Sequence, residues 1–196
     1  MIGCRDCQGS VGERLMKRSK KILIVCHCLL NANAKVYPLA ACSGVYRDVL
    51  HDHIESGVGL FQLPCPETGY LGLNRWGMTR EQYDHPRFRQ YCREILTPCL
   101  HQLTAFVQAG YQIDGVIGMD GSPNCGVTRT CSGFCGGEIS APGNVARQQQ
   151  ALAMVAGRGV FMEIFTAMLA DAAINVQFRA IAENLESTES VERRSE

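Results

Sequence analysis

The chain has 196 residues, a formal net charge of zero and a hydrophobic fraction of 46%. This length fits one globular domain, and the hydrophobic fraction is sufficient for that domain to bury a hydrophobic core. The neutral charge argues against a broad surface for nucleic acid, and no apolar run reaches the roughly 18 residues of a membrane-spanning helix.

The first half of the chain predicts two strands separated by a helix. The apolar run over 22–27 is typical of a buried parallel strand. A helix is predicted over 45–56, and a second strand over 58–63. The apolar side chains expected on one face of that helix are Val45, Val49, Leu50 and Ile54.

A long helical stretch is predicted to follow. Thr79 is the expected N-cap of this stretch. Pro86 and Pro98 lie within it, and we expect them to divide it, because an internal proline removes a backbone hydrogen bond. The second piece is predicted over 99–109, with Gly110 as its C-cap.

The last part of the fold is predicted to contain two more strands. A third strand covers 116–119, and the Gly-, Ser-, Pro- and Cys-rich segment 120–145 is typical of a long functional loop. A helix is expected over 163–170 and a final strand over 174–178. Strands that alternate with helices predict a three-layer α/β sandwich with a mostly parallel sheet.

The composition also predicts where the domain ends. Residues 1–19 are polar and lack periodicity, and 183–196 are charged and serine-rich, so both are predicted to be disordered around a domain of 20–182. Cys4 and Cys7 form a CxxC in the first segment. The preferred interpretation is that these two thiols have no function. The alternative is that they form a second metal site or a redox-active pair.

Eleven cysteines are many for a chain of this length. The count is odd, the N-terminus shows no apolar leader, and the chain is long enough to build a core without disulfides. We therefore expect a cytoplasmic protein in which cysteines serve a metal or cluster site.

Three short cysteine segments dominate the sequence. They cover 25–30, 63–67 and 120–126, and each follows an apolar run that predicts a strand. Because the carboxyl ends of parallel strands gather at one edge of the sheet, their thiols can meet there. Three thiolates could hold a metal or cluster and leave one coordination position open to a ligand.

The ordered set of motifs resembles the TudS-type desulfidases, the 2-thiouracil desulfurase-like family, and above all its branch of uncharacterised desulfidases. The matching segments are His27-Cys28-Leu29-Leu30-Asn31, Gln62-Leu63-Pro64-Cys65-Pro66-Glu67, Tyr70-Leu71-Gly72-Leu73 and Gly121-Ser122-Pro123-Asn124-Cys125-Gly126. The resemblance runs from about 20 to 180. The departures are Asn31, where the thiouracil enzymes usually have glycine, and the additional Cys131 and Cys135.

This resemblance implies a 4Fe–4S cluster held by Cys28, Cys65 and Cys125, with one iron open to the sulfur of a small thiolated substrate. It implies non-redox hydrolysis with release of hydrosulfide. Glu67 is then the expected base and Asp120 the reserve, while Ser122 could bind the substrate or carry a proton. Glu67 and Ser122 fit a cap or a turn equally well, and for Asp120 the turn is the preferred interpretation.

The other candidate residues receive simpler interpretations. His27 and Cys26 are expected in the core, and Arg75 and Arg129 are expected to be solvated, with an anionic substrate group as the alternative. Cysteines expected to be inert are Cys42, Cys92 and Cys99. Cys131 and Cys135 could line the site, accept sulfur or bind a separate metal.

Two other functions stay open at this point. A structural or sensory metal protein would fill all metal positions with protein ligands, with Cys131 or Cys135 completing the set. A sulfur carrier or thiolation enzyme would need a sulfur donor and an acceptor. We expect no nucleic-acid partner and no membrane association, and the sequence leaves the oligomeric state open.

Overall fold

A computed structural model of the protein describes residues 18–182. The predicted disorder at both termini and the role of Cys4 and Cys7 concern segments outside the described residues. The predicted domain boundaries therefore stay predictions.

The core of the molecule is a four-stranded parallel sheet with the spatial order β2-β1-β3-β6. Its strands are β1 (Lys21–Val25), β2 (Gly59–Gln62), β3 (Gln112–Asp120) and β6 (Phe178–Ala182). A separate antiparallel ribbon pairs β4 (Arg129–Ser132) with β5 (Ala153–Ala156). The ribbon interrupts the segment that was expected to be a loop over 120–145.

Seven α-helices lie between residues 18 and 182, together with a short 3-10 helix over Ala32–Ala34. They are α1 (His27–Leu30), α2 (Arg47–Glu55), α3 (Pro66–Leu71), α4 (Arg80–Tyr83), α5 (Pro86–Gln108), α6 (Asn144–Ala151) and α7 (Val160–Asp171). None of these helices combines the length and the apolar composition needed to cross a bilayer.

The sheet is covered on both faces. Ile24 of β1 belongs to the same buried cluster as side chains of α5 and α7. Its neighbours Leu23 and Val25 point to the opposite face and pack with Leu50 of α2 and Leu29 of α1. This alternation confirms the predicted three-layer α/β sandwich.

The helix predictions need two corrections. Pro98 does not end a helix but lies inside α5, because the buried face of that helix continues past it to Leu103. The helical stretch is interrupted before Pro86 instead. Pro86 lies in the first turn of α5, where the backbone N–H has no partner within the helix and its absence costs nothing.

The helix predicted over 45–56 begins at Arg47, so the exposed Val45 lies before it. In α2 only Leu50 is buried, and Ile54 is exposed.

Three strands differ clearly from their predicted bounds. The third was predicted over 116–119 and covers Gln112–Asp120. The first strand ends at Val25, and a helical turn begins at His27. The last strand begins at Phe178 rather than 174, since Ile174 still closes the end of α7 by donating to the carbonyl of Leu169 at 2.9 Å.

A partly buried group of ion pairs joins α4, α5 and α7. Arg80 donates to Asp84 at 2.8 Å and to Glu163 at 2.6 Å, and Arg89 donates to Glu163 at 3.0 Å and also pairs with Asp84. Each cation faces two carboxylates, so the helices are held by a closed network instead of single surface pairs.

Gly118 in β3 permits a backbone contact that any side chain would block. A Cβ at this position would lie 2.5 Å from the carbonyl oxygen of Cys125 and 2.6 Å from Val127. The segment after β3 therefore folds back onto the strand and lies directly against its backbone.

We predict that Gly118→Ala lowers the free energy of unfolding by about 1–3 kcal/mol, because the added methyl group overpacks this contact. Urea denaturation measures the change. Gly44→Ala is the matched control, since nothing lies within 4 Å of its added Cβ. Equal stability of the two variants would contradict the close approach.

Candidate functional site

Three cysteines meet at the carboxyl edge of the parallel sheet. Cys28 lies in α1 just after β1, Cys65 follows β2, and Cys125 follows β3. All three line one cavity of about 910 Å³. The topology thus brings together the thiols that the motifs singled out.

Cys65 is fixed by the start of α3. It is the N-cap residue, and its sulfur accepts a hydrogen bond from the backbone N–H of Thr68 at 3.4 Å. Pro66 at the first helical position favours this helix start. The thiol is half-buried and borders the cavity.

The segment that carries Cys125 is held from two sides. The hydroxyl oxygen of Ser122 accepts from the backbone N–H groups of Asn124 at 3.2 Å and Cys125 at 2.9 Å. At the start of α7, Val160 and Met162 donate to the carbonyls of Pro123 and Asn124, each at 2.9 Å. The unpaired N–H groups of a helix start thereby fix the loop.

These contacts of Ser122 support the turn interpretation, and its role toward a substrate stays a prediction. Its oxygen stabilises the turn, as an ordinary serine would. It also lines the cavity, where its own hydroxyl hydrogen is not used by those two contacts.

Cys26 supports Cys125 from behind. It is completely buried, as expected, and its thiol hydrogen-bonds with that of Cys125. This contact and burial raise the pKa of Cys125 well above its ordinary value, and the charges of Cys65 and Glu67 act in the same direction. Together with Cys131, which also lines the cavity, five thiols of the described residues lie in or directly behind the cavity wall.

Glu67 is held in one orientation by two partners. Its carboxylate accepts from Nδ2 of Asn124 at 3.1 Å and from Nε of Arg75 at 3.3 Å. The guanidinium of Arg75 also donates to the carbonyls of Gly72 at 2.9 Å and Ala34 at 2.7 Å. Arg75 is thus neither solvated nor available to an anion, because it positions Glu67.

Two buried polar atoms near Glu67 lack a hydrogen-bond partner among the described residues. They are Oδ1 of Asn124, whose residue is completely buried, and the hydroxyl of Tyr83. Burial, and then the charge of Glu67, raise the pKa of Tyr83. Unpaired buried polar atoms are costly in a folded protein. Neither Asn124 nor Tyr83 lines the cavity, so these atoms do not by themselves indicate a ligand there.

Asp120 has a different environment. Its carboxylate accepts from the backbone N–H groups of Val127 at 2.8 Å, Thr128 at 2.9 Å and Arg129 at 3.2 Å, and from the hydroxyl of Thr128. Burial alone would raise the pKa of Asp120, but these hydrogen bonds lower it. Asp120 is not among the described residues that line the cavity. Its place in the structure favours the turn interpretation.

The prediction for His27 was wrong. The ring is only half-buried and lines the cavity, because α1 begins at this residue and the strand alternation no longer applies. Partial burial lowers the pKa of His27. Cys131 also lines the cavity, whereas Cys135 lies outside it and hydrogen-bonds to Gln148 at 3.3 Å.

The remaining candidates lie away from the cavity. Cys92 and Cys99 are buried in the core, as expected, and burial raises the pKa of Cys92 to about 12. Cys42 is half-buried and is not one of the described cavity residues, and Arg129 is an exposed residue at the start of β4.

The outer walls of the cavity come from two segments, one of which includes part of 120–145, the segment predicted to be a long functional loop. One wall follows α3 and includes Trp76 and Met78, and the other is formed by the ribbon and α6. In the sequence, the position of Asn124 next to Cys125 in the third motif was the only feature that indicated a role for this residue in the site.

Within residues 18–182, no three His, Cys, Asp or Glu side chains are gathered closely enough to hold a single metal ion. A single ion needs every sulfur at about 2.3 Å from one point. In an iron–sulfur cluster each thiolate binds a different iron, so the three sulfurs stay further apart. Cys28, Cys65 and Cys125 line one cavity without forming a single-ion site, which is compatible with that second requirement, and the cluster itself stays a prediction.

Comparison with known proteins identifies a relative. Over 110 residues the chain is 34% identical to the uncharacterized protein MJ0003 of Methanocaldococcus jannaschii, a match that covers 56% of this chain and 70% of that protein. The chain belongs to the same family as MJ0003. No family model matches the sequence, and no solved structure matches it.

We predict that Asp120→Asn lowers the free energy of unfolding at pH 7 by about 2 kcal/mol, because hydrogen bonds to a charged carboxylate are replaced. The folded-state pKa of Asp120 lies below its ordinary value of 3.8. The wild type therefore loses this stabilisation as the pH falls below about 3.8.

Denaturant titrations of both proteins at several pH values test this. The stability difference should be largest near pH 7 and should shrink in acid. A difference that stays constant from pH 7 to acid would contradict the role of the ionised carboxylate.

Proposed function

We propose that the protein is a desulfidase that removes sulfur from a small thiolated molecule, using a 4Fe–4S cluster bound by Cys28, Cys65 and Cys125. The observation that carries this proposal is the meeting of these three thiols in one cavity beside an oriented carboxylate. The resemblance of the motifs to TudS-type enzymes supports it independently.

The overall reaction is hydrolysis. A thiocarbonyl compound and water give the corresponding carbonyl compound and hydrogen sulfide, so no electrons are gained or lost. When bound, such a cluster would supply a Lewis-acidic iron that polarises the carbon–sulfur bond. The protein must supply water activation, orientation and protection of the site.

Glu67 is the residue that takes the proton from the attacking water. Arg75 and Asn124 each hold one of its oxygens, so the carboxylate is oriented before the substrate arrives. Preorganisation of this kind avoids rearrangement during the reaction. The hydroxyl of Ser122, which follows β3 at the same edge of the sheet, donates to an acceptor on the substrate.

We predict that full-length protein purified without oxygen, or reconstituted with iron and sulfide, binds about four irons and absorbs visible light. Cys28→Ser, Cys65→Ser and Cys125→Ser should each lose most of this iron. Cys42→Ser is the matched control, because this half-buried thiol lies outside the described cavity lining.

Zinc in place of iron, or no metal after reconstitution, would contradict the proposal. Cys131→Ser distinguishes the desulfidase from a structural metal protein, because Cys131 also borders the cavity and could be a fourth ligand. Loss of the metal in this variant would mean that protein fills the fourth position and leaves none for a substrate.

We predict that Glu67→Gln keeps its iron but loses about 10²–10⁴-fold in the rate of hydrosulfide release from 2-thiouracil, the contribution typical of a general base. Glu94→Gln, at an exposed position of α5, is the control and should match the wild type. Unchanged activity of Glu67→Gln at full iron content would remove Glu67 from the reaction.

A further inference from the structure

One buried thiol beside the cavity takes no part in the proposed reaction. Cys26 is completely buried, and like Ile24 two residues earlier it packs in the cluster between the sheet and the helices α5 and α7. Val25 pairs with Ile117 of β3, and the backbone N–H of Cys26 donates to the carbonyl of the same isoleucine at 3.0 Å. The register of the two strands therefore places Cys26 beside Gly118.

The missing side chain of Gly118 brings Cys125 next to Cys26. A Cβ on this glycine would lie 3.2 Å from Met162 of α7, so it points to the face of the sheet that buries Cys26. The same Cβ would lie 2.5 Å from the carbonyl oxygen of Cys125, whose backbone therefore occupies the space of a side chain beside Cys26. This arrangement places the two thiols in hydrogen-bond contact.

The two thiols have different surroundings. Cys125 is half-buried and lines the cavity of about 910 Å³, so small solutes reach its sulfur. Cys26 lies on the core side of that sulfur and is closed to solvent. A thiol that attacks an oxidised sulfur displaces a leaving group on the far side of it. An attack by Cys26 on Cys125 would therefore release the leaving group into the cavity.

We infer that Cys125 is an oxidation site in the metal-free protein and that Cys26 is its resolving thiol. The inference rests on the proposed function, because it concerns the regulation of the cysteine to which the cluster would bind. A peroxide converts the Cys125 thiol to a sulfenic acid and leaves one water molecule. The Cys26 thiol then attacks that sulfur, so a disulfide forms and a second water molecule departs. The two thiols together lose two electrons, which reduce one molecule of hydrogen peroxide.

The disulfide has two consequences for the site. While it exists, the sulfur of Cys125 is withheld from iron, and a thiol reductant restores it by exchange. Without a resolving thiol, a sulfenic acid is oxidised further to a sulfinic acid, which such reductants do not reverse. Cys26 therefore keeps the oxidation of Cys125 reversible.

Peptide mapping of the metal-free, full-length protein tests the pairing without any activity. The protein is treated with hydrogen peroxide in mildly alkaline buffer, because the raised pKa of Cys125 leaves little reactive thiolate at neutral pH. Free thiols are then alkylated, and mass spectrometry locates each disulfide. The wild type should contain a disulfide between Cys26 and Cys125, and dithiothreitol should remove it.

Cys26→Ala should instead accumulate sulfinic acid at Cys125 and should lose most of its iron uptake permanently, whereas the wild type regains iron uptake after dithiothreitol. Cys92→Ala is the matched control, since Cys92 is completely buried in the same core cluster. This control should form the same disulfide as the wild type. The wild-type peptide map decides the pairing by itself if Cys26→Ala does not fold.

A disulfide that joins Cys125 to a different cysteine, or sulfinic acid at Cys125 of the wild type with no link to Cys26, would overturn the inference. The proposed function is judged separately, by the iron content and hydrosulfide release of the reduced protein. A protein that forms the disulfide but binds no iron when reduced would refute the desulfidase proposal and leave the thiol pair standing. A protein that binds iron but never forms this disulfide would refute only the thiol pair.

Discussion

The position of Cys125 depends on direct backbone packing between β3, the segment 122–126 and the start of α7. Gly118 leaves room on the strand side, and Gly159 does so on the helix side, where a Cβ would lie 2.4 Å from the backbone of Asn124. In this space the N–H groups of α7 reach the loop carbonyls directly. A side chain at either glycine would force the loop outward and carry the thiol away from its neighbours.

A second constraint joins the three strand ends to each other. Arg75 contacts the carbonyl of Ala34, which follows β1, and the carboxylate of Glu67, which follows β2. Glu67 in turn accepts from Asn124, which follows β3. One continuous chain of hydrogen bonds therefore crosses the carboxyl edge of the sheet. Because its members are largely buried, breaking it would leave unpaired charge in the interior.

Much of the fold was predictable because buried parallel strands are short apolar runs, and β1, β2 and β3 have that form. The continuation of α5 through Pro98 was not predictable, since whether a helix survives an internal proline depends on the packing of its buried face. His27 was misjudged for a related reason: the strand ends two residues earlier than the apolar run. The ribbon and α6 were missed because a Gly-rich segment gives little periodic signal.

The sequence by itself determined the layered α/β architecture and the three cysteines that follow its strands, because period and spacing are local properties of the chain. Only the tertiary structure decided what surrounds those thiols. It paired Arg75 with Glu67, directed the carboxylate of Asp120 into a turn, and placed Trp76 and residues of the ribbon around one large cavity. These relations join residues far apart in the chain, and they arise only when the layers pack and choose which polar groups find partners.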